Sequence, residues 1–285
     1  RVELLALFSN PWLHRAVPAS LCHLTRAQLG PLSLGRELKS LLCAVPSPYV
    51  HIEPAATLED VRVAIKQHNP QIALFSGHSL AGSLAFELPN GSVDLPEARD
   101  FMAALQPANG VDSKLRCLVL NGCDTIELAV SIVRRTPALM VVCWRSLAED
   151  SAARAFATGF YRAIGANMVA RAESVSIEAA YQAGLATFEE EGFTYGDPLP
   201  YMHEDDHPHT TTASELSHCE GCSPPVHGQP VLLSHRHGEV HIRLGPEDWQ
   251  RADERSLIPS KGDAVRSPKL SSPCPRDCTF KIHSV

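Results

Sequence analysis

The sequence predicts an α/β protein: a three-layer sandwich in which a mainly parallel sheet carries helices on both faces, followed by an irregular C-terminal extension. Three observations lead there. Short continuous apolar runs recur along the chain, as in strands buried on both faces. Segments with apolar residues at helical spacing separate them, and cap and turn signals punctuate the alternation. With 285 residues, 44% of them hydrophobic, the chain can bury one large core, or one core plus a small appendix.

Residues 2–8 form the first strand-like run. Ser33 is placed to cap a helix in which Leu34, Leu38, Leu41, Leu42 and Val45 recur at helical spacing. Thr57-Leu58-Glu59-Asp60 has the form of a capping box, and Leu58, Val61 and Ile65 share a face until Asn69-Pro70 stops the helix. Residues 72–75 are the next buried strand. Residues 83–88 and Val93 flank Asn90-Gly91, a hairpin turn signal. A strand at 118–120 is followed by a helix through Leu128, Ala129, Ile132 and Val133, and then by a strand at 139–143. Asp150 or Ser151 can cap a helix that sets Phe156, Phe160 and Ile164 on one face and reaches Gly165. Ser174 or Ser176 can start another, with Ile177, Ala180, Tyr181, Gly184, Leu185 and Phe188 in phase.

Composition changes near Tyr195: Pro, Ser, His and Thr dominate beyond it, and nine of the 14 histidines lie there, which places a boundary at about residue 196. Residues 1–195 are read as the α/β domain. Residues 196–255 are a Pro- and His-rich extension in which 230–234 and 239–244 alternate around His237-Gly238 as one hairpin. Residues 256–285, rich in Ser, Pro and Lys, are read as a disordered tail.

The net charge is −7 and the basic residues are dispersed, with no Lys/Arg run interleaved with aromatics, so no nucleic-acid partner is expected. The longest apolar runs, at 4–8 and 138–143, fall far short of the ~20 residues that span a bilayer, so no membrane partner is expected either. Nine cysteines is an odd number. Cys22, Cys43, Cys117, Cys123 and Cys143 sit singly in apolar or helical contexts, which favours a reducing, intracellular and cytoplasmic setting. The chain opens on Arg1 without a charged-then-apolar leader, and the expectation is a fragment with a leader or a regulatory or repeat domain upstream.

In an open parallel sheet, functional groups collect past the carboxyl ends of the strands. His78, in Ser76-Gly77-His78-Ser79, and Cys123, in Asn121-Gly122-Cys123-Asp124-Thr125, both occupy that place, 45 residues apart. Amide cleavage by covalent catalysis needs a nucleophile, a proton shuttle and donors for an oxyanion. Cys123 precedes a helix starting near Thr125, whose positive end is expected to favour the thiolate. His78 is the candidate shuttle, and the backbone amides of Cys123 and of Gly77 or Ser79 are the candidate oxyanion hole.

These segments, from about Leu4 to Phe188, resemble the CHAT domain, a relative of caspases and separases. The match covers an opening strand ending in Ser9-Asn10-Pro11, the helix entry Leu32-x-Leu34-x-x-Glu37, and Pro70-x-x-Ala73-Leu74-Phe75-Ser76-Gly77-His78. It continues through Leu118-Val119-Leu120-Asn121-Gly122-Cys123-Asp124-Thr125, Trp144 with Asp150-x-x-Ala153, and Phe156-x-x-x-Phe160-Tyr161. The resemblance implies a caspase-like fold, His78 and Cys123 as a catalytic dyad, and a protein substrate. Two positions depart from the family pattern: Ser79 stands where a glycine is usual, and Gly122 where an alanine is usual, a change that removes only a methyl group. In the related separases an acidic residue after a tryptophan helps receive a basic side chain before the cleaved bond. Here that points to Asp150, with Glu149 and Asp124 as alternatives.

The dyad needs no cofactor. Cys219-Glu220-Gly221-Cys222 has the spacing with which two thiolates grip a zinc ion, and His203, His207, His209, His218 or His227 could complete the set. No second Cys-x-x-Cys follows, since Cys274 and Cys278 are spaced by three, so the pattern is half a zinc site. The functional expectation is a CHAT-type cysteine endopeptidase. Its main rival is an inactive CHAT-like module used in binding or assembly, and a small-molecule acyl hydrolase is a third class.

Overall fold

A computed structural model of the chain describes residues 3–11, 32–80, 82–170, 175–196, 227–245 and 249–252. One eight-stranded sheet organises them. Its strands are β1 (Leu4–Ser9), β2 (Val50–Pro54), β3 (Ile72–Gly77), β8 (Cys117–Asn121), β9 (Met140–Trp144), β10 (Pro230–Arg236), β11 (Glu239–Leu244) and β12 (Gln250–Arg251), in the spatial order β12-β11-β10-β9-β8-β3-β1-β2. The five strands from β9 to β2 run parallel, and β10, β11 and β12 add on antiparallel. Two small hairpins, β4 (Ser79–Leu80) with β5 (Ser83–Leu84) and β6 (Phe86–Glu87) with β7 (Val93–Asp94), intervene between β3 and β8.

The four inner parallel strands, β1, β3, β8 and β9, are predominantly apolar because both of their faces are covered. Leu5, Leu7, Ala73, Phe75, Leu118, Leu120, Val141 and Cys143 point to one side, under α2 (Leu58–His68), α3 (Ala98–Ala104) and α4 (Ile126–Arg135). The intervening Leu4, Ala6, Ile72, Leu74, Cys117, Val119, Val142 and Trp144 point to the other, under α1 (Leu34–Ala44), α5 (Asp150–Val169) and α6 (Ile177–Glu190). The fold is therefore the α/β sandwich read from the sequence, a mainly parallel sheet between two helical layers.

Local signals mostly act as expected. Thr57 and Asp60 form a reciprocal capping box on α2, and the Ser176 hydroxyl accepts from the Ala179 N–H at the start of α6. The capping role read for Asp150 or Ser151 is not realised. Glu149 is the N-cap without a side-chain bond, and Asp150 lies inside α5, where its carboxylate pairs with Arg154 one turn on. This helix runs on past Gly165 to Val169. Gly165 is where α1 crosses: a Cβ there would lie 1.9 Å from the Ala44 carbonyl oxygen.

The half-exposed edge strand β2, the two-residue strands β4 and β12 and the short α3 have no sequence reading. The hairpin read at 230–244 forms, and its first strand pairs with β9 in the central sheet. Val231, Leu233, Val240 and Ile242 thus join the core of the βα part. Residues 256–285, Ser174 and the Cys-x-x-Cys motif lie outside the described residues. Among the described residues, no helix is long and apolar enough to cross a membrane.

Candidate active site

β3 and β8 lie side by side and parallel, in a register that pairs Ser76 with Asn121. His78 and Cys123 each follow that last pair by two residues, so they leave the sheet at the same level on neighbouring strands. Both are half-buried. The two loops are in contact: the Ser79 hydroxyl donates to the Cys123 carbonyl oxygen, and a Cβ on Gly122 would lie 2.8 Å from the Gly77 carbonyl oxygen. The glycine before the cysteine is therefore more than an alanine without its methyl group, because an alanine would collide with backbone. Serine after the histidine supplies a bond between the two turns that a glycine cannot make.

The turn from Cys123 into α4 is fixed from the other flank. Asp124, in the left-handed region at φ 49°, donates its N–H to the Ser146 carbonyl (2.9 Å), and the Thr125 N–H donates to the Trp144 carbonyl (2.9 Å). The buried Thr125 hydroxyl donates to the Gly122 carbonyl (3.1 Å) and accepts from the Trp144 N–H (3.2 Å). The Cys123 sulfur lies 3.4 Å from the Ala148 nitrogen, which donates to it, and 3.7 Å from the Ala148 oxygen. That loop follows β9, on the opposite side of β8 from His78.

This arrangement corrects one expectation. Burial pushes the Cys123 thiol up; the Ala148 N–H opposes that, and the neighbouring Asp124 charge adds to it. The amides of Asp124 and Thr125, at the entry to α4, are taken up by the carbonyls of Ser146 and Trp144, and the net direction for the thiol is up. The four described cysteines, Cys43, Cys117, Cys123 and Cys143, are all free thiols.

The acidic candidates sit on the same rim. Asp124 is exposed, and Glu149 is exposed with its carboxylate accepting from the Ser151 hydroxyl. Asp150 is engaged by Arg154. His227, one of the histidines read for zinc, packs beside this rim: its carbonyl accepts from the Glu149 N–H and its Nδ1 accepts from the Thr194 N–H at 3.1 Å. Cys219, Cys222, His203, His207, His209 and His218 lie outside the described residues. Among the described residues no group of three His, Cys, Asp or Glu side chains is placed to hold a metal ion. A shallow concavity lined by Lys114, Arg116, Met140 and Ile177 lies at the amino end of β8 and β9, away from Cys123.

Sequence reading missed a buried polar cluster beneath the two turns. Glu37, on α1, is 3% exposed and reaches across to the ends of β3 and β8. Its carboxyl accepts from the hydroxyls of Ser76 (2.7 Å) and Tyr161 (2.5 Å) and from the Asn121 amide, 3.1 Å from each oxygen. The Asn121 oxygen in turn accepts from the Trp144 indole N–H (2.8 Å). Burial raises the Glu37 carboxyl above its usual range, against the pull of its three donors. Glu37 and Tyr161 both stand in the segments that carry the family resemblance, but nothing in their spacing marks them as partners.

No protein-family model matches the chain, and no curated protein matches it. Among solved structures the chain is similar to a secreted C11 cysteine protease from Bacteroides thetaiotaomicron, determined in complex with an irreversible peptide inhibitor. The TM-score is 0.41 at 8% identity, over 82% of this chain and 66% of that one.

Proposed function

We propose that the chain is a cysteine endopeptidase of the CHAT type, with His78 and Cys123 as its dyad and a protein as its substrate. The observation that carries this reading is the register: the two residues leave adjacent parallel strands two positions past a shared pair, on turns bonded to each other. In the reaction, Cys123 gives its thiol proton to the His78 imidazole, and the sulfur attacks the scissile carbonyl carbon. Backbone N–H groups of Cys123 and of Gly77 or Ser79 hold the oxyanion. The C–N bond then breaks as His78 protonates the leaving amine, and a water deprotonated by His78 cleaves the thioester and frees the thiol. Burial holds the thiol above its usual range, where it is a poor nucleophile near neutral pH, so attack depends on transfer of its proton to His78, while the Ala148 N–H favours the thiolate. Asp150, Glu149 and Asp124 surround the segment that carries Ala148, and this acidic rim suits a basic side chain before the cleaved bond.

The test is cleavage of aminocoumarin peptides carrying Arg or Lys before the reporter. The expected result is turnover by the wild type and a loss of at least about 10³-fold in Cys123→Ala and in His78→Ala. Turnover unchanged in Cys123→Ala overturns the proposal. The half-buried thiol, pushed up by its burial and resting against the Ala148 backbone, is the specific observation that favours the rival reading, an inactive module of the same fold. That rival requires partner binding that survives Cys123→Ala and His78→Ala together, in a protein without peptidase turnover.

A further inference from the structure

The polar cluster around Glu37 takes no part in the chemistry just described, yet every strand it touches leads into the site. Ser76 ends the paired register of β3 two residues before His78, and Asn121 ends that of β8 two residues before Cys123. Trp144 ends β9, four residues before the Ala148 that meets the sulfur. The direction of the Asn121 amide is settled by its neighbours. An indole N–H can only donate, so the Asn121 oxygen faces Trp144 and its NH₂ faces Glu37.

We propose that Glu37 is the positioning residue of the His78/Cys123 site: one carboxyl, reaching in from α1, fastens the last paired residues of β3 and β8 and so fixes the spacing of the side chains that follow them. The inference rests on the peptidase reading for its catalytic consequence, although the fastening itself is visible in the contacts.

An apolar side chain could fill a core position on α1 without the cost of burying a carboxyl. A carboxyl with donors from two strands does something that a leucine cannot. One oxygen holds Ser76 and Asn121, the other Asn121 and Tyr161, so both strands are tied to one rigid planar group. A slip of β3 against β8 by one residue, about 3.3 Å, would break both sets of bonds. Proton exchange between a sulfur and an imidazole is sensitive to far less, since misplacement by about 1 Å typically costs on the order of 10²-fold. Glu37 touches no substrate in this scheme and acts only through Ser76 and Asn121.

The full chain is compared with Glu37→Gln and Ser76→Ala. Gln keeps the volume but turns one acceptor into a donor facing the Asn121 amide, and Ser76→Ala releases only β3. In folded protein, checked by circular dichroism and thermal melting, kcat on the aminocoumarin peptides is expected to fall about 10-fold or more in both variants, with KM within about twofold. A residue that only supports the fold would leave kcat unchanged in the folded fraction. Folded variants with wild-type kcat therefore overturn the proposal. Should Glu37→Gln fail to fold, Ser76→Ala decides alone. A second readout separates this inference from the peptidase reading. If the wild type cleaves no peptide, that reading falls, and iodoacetamide alkylation of Cys123 at pH 7, followed by mass spectrometry, decides the positioning. Slowing in folded Glu37→Gln or Ser76→Ala to the His78→Ala rate supports it, and wild-type alkylation rates in both overturn it.

Discussion

A methyl group at position 122 would decide how closely the two turns of the site can approach. The Gly77 carbonyl oxygen lies 2.8 Å from where the Cβ would stand, and both partners are backbone, which cannot rotate away as a side chain can. Gly122→Ala is expected to destabilise the protein by about 1–3 kcal/mol, the usual range for overpacking, and to spread the His78 and Cys123 turns. Urea unfolding measures the first effect, and the rate of Cys123 alkylation relative to exposed Cys43 measures the second. At this scale the sequence was informative about residue types and silent about their contacts. His78 and Cys123 stood out because each follows an apolar run and is flanked by glycine. Glu37 did not, because a charged residue on an amphipathic helix reads as solvent-facing, while Leu42 on the same helix reads as core and is half exposed. Its burial depends on three donors from distant parts of the chain, and no local pattern encodes them.

Elements were legible in proportion to how completely they are buried. β1, β3, β8 and β9 are apolar on both faces and announce themselves. The edge strand β2, Val-His-Ile-Glu-Pro, is half-exposed, has no apolar run and ends in proline, so it reads as loop. Its pairing with β1 is a tertiary fact. This edge also holds a titrating contact. The His51 ring packs at a tilt of 39° against His68, at the end of α2, with centroids 4.3 Å apart, and bonds Glu53 at 2.6 Å. The His68 Nε2 is buried with no hydrogen-bond partner among the described residues. Burial first, and then the His51 charge, lower the His68 pKa, with Glu53 opposing. A histidine whose folded pKa lies below its unfolded one binds its proton first in the unfolded chain. This stabilisation is therefore whole above about pH 6.5 and declines as pH falls through the unfolded value toward the folded one. The urea midpoint should drop between pH 7.5 and 5.5, and drop less in His68→Gln. An equal drop in both proteins removes His68 from the account.

For the whole molecule, the sheet that sets the site is not finished by the βα series. Val231, Leu232, Leu233, Val240 and Ile242, from the C-terminal hairpin, are buried against both layers. At about 1.5–3 kcal/mol each, they carry as much as the roughly 5–15 kcal/mol by which a typical domain is stable. A chain ending at residue 226 is expected to lose cooperative thermal unfolding, as followed by calorimetry. A sharp transition in that chain would instead make residues 1–195 an independent unit. The change in composition near Tyr195 is real, but composition reports how residues are solvated and not which strand they pair with, so the hairpin was visible while its place in the sheet was not. The pairing of β10 with β9 joins Trp144 to Pro230, 86 residues apart in the chain. At translation speeds of about 5–20 residues per second, β9 leaves the ribosome about 4–17 s ahead of its partner. For that interval the rim that carries Trp144, and with it the support of Cys123, is an open β-edge able to pair with another nascent chain. Synthesis rate and chaperone supply would then govern the yield of competent protein as much as the stability of the finished fold.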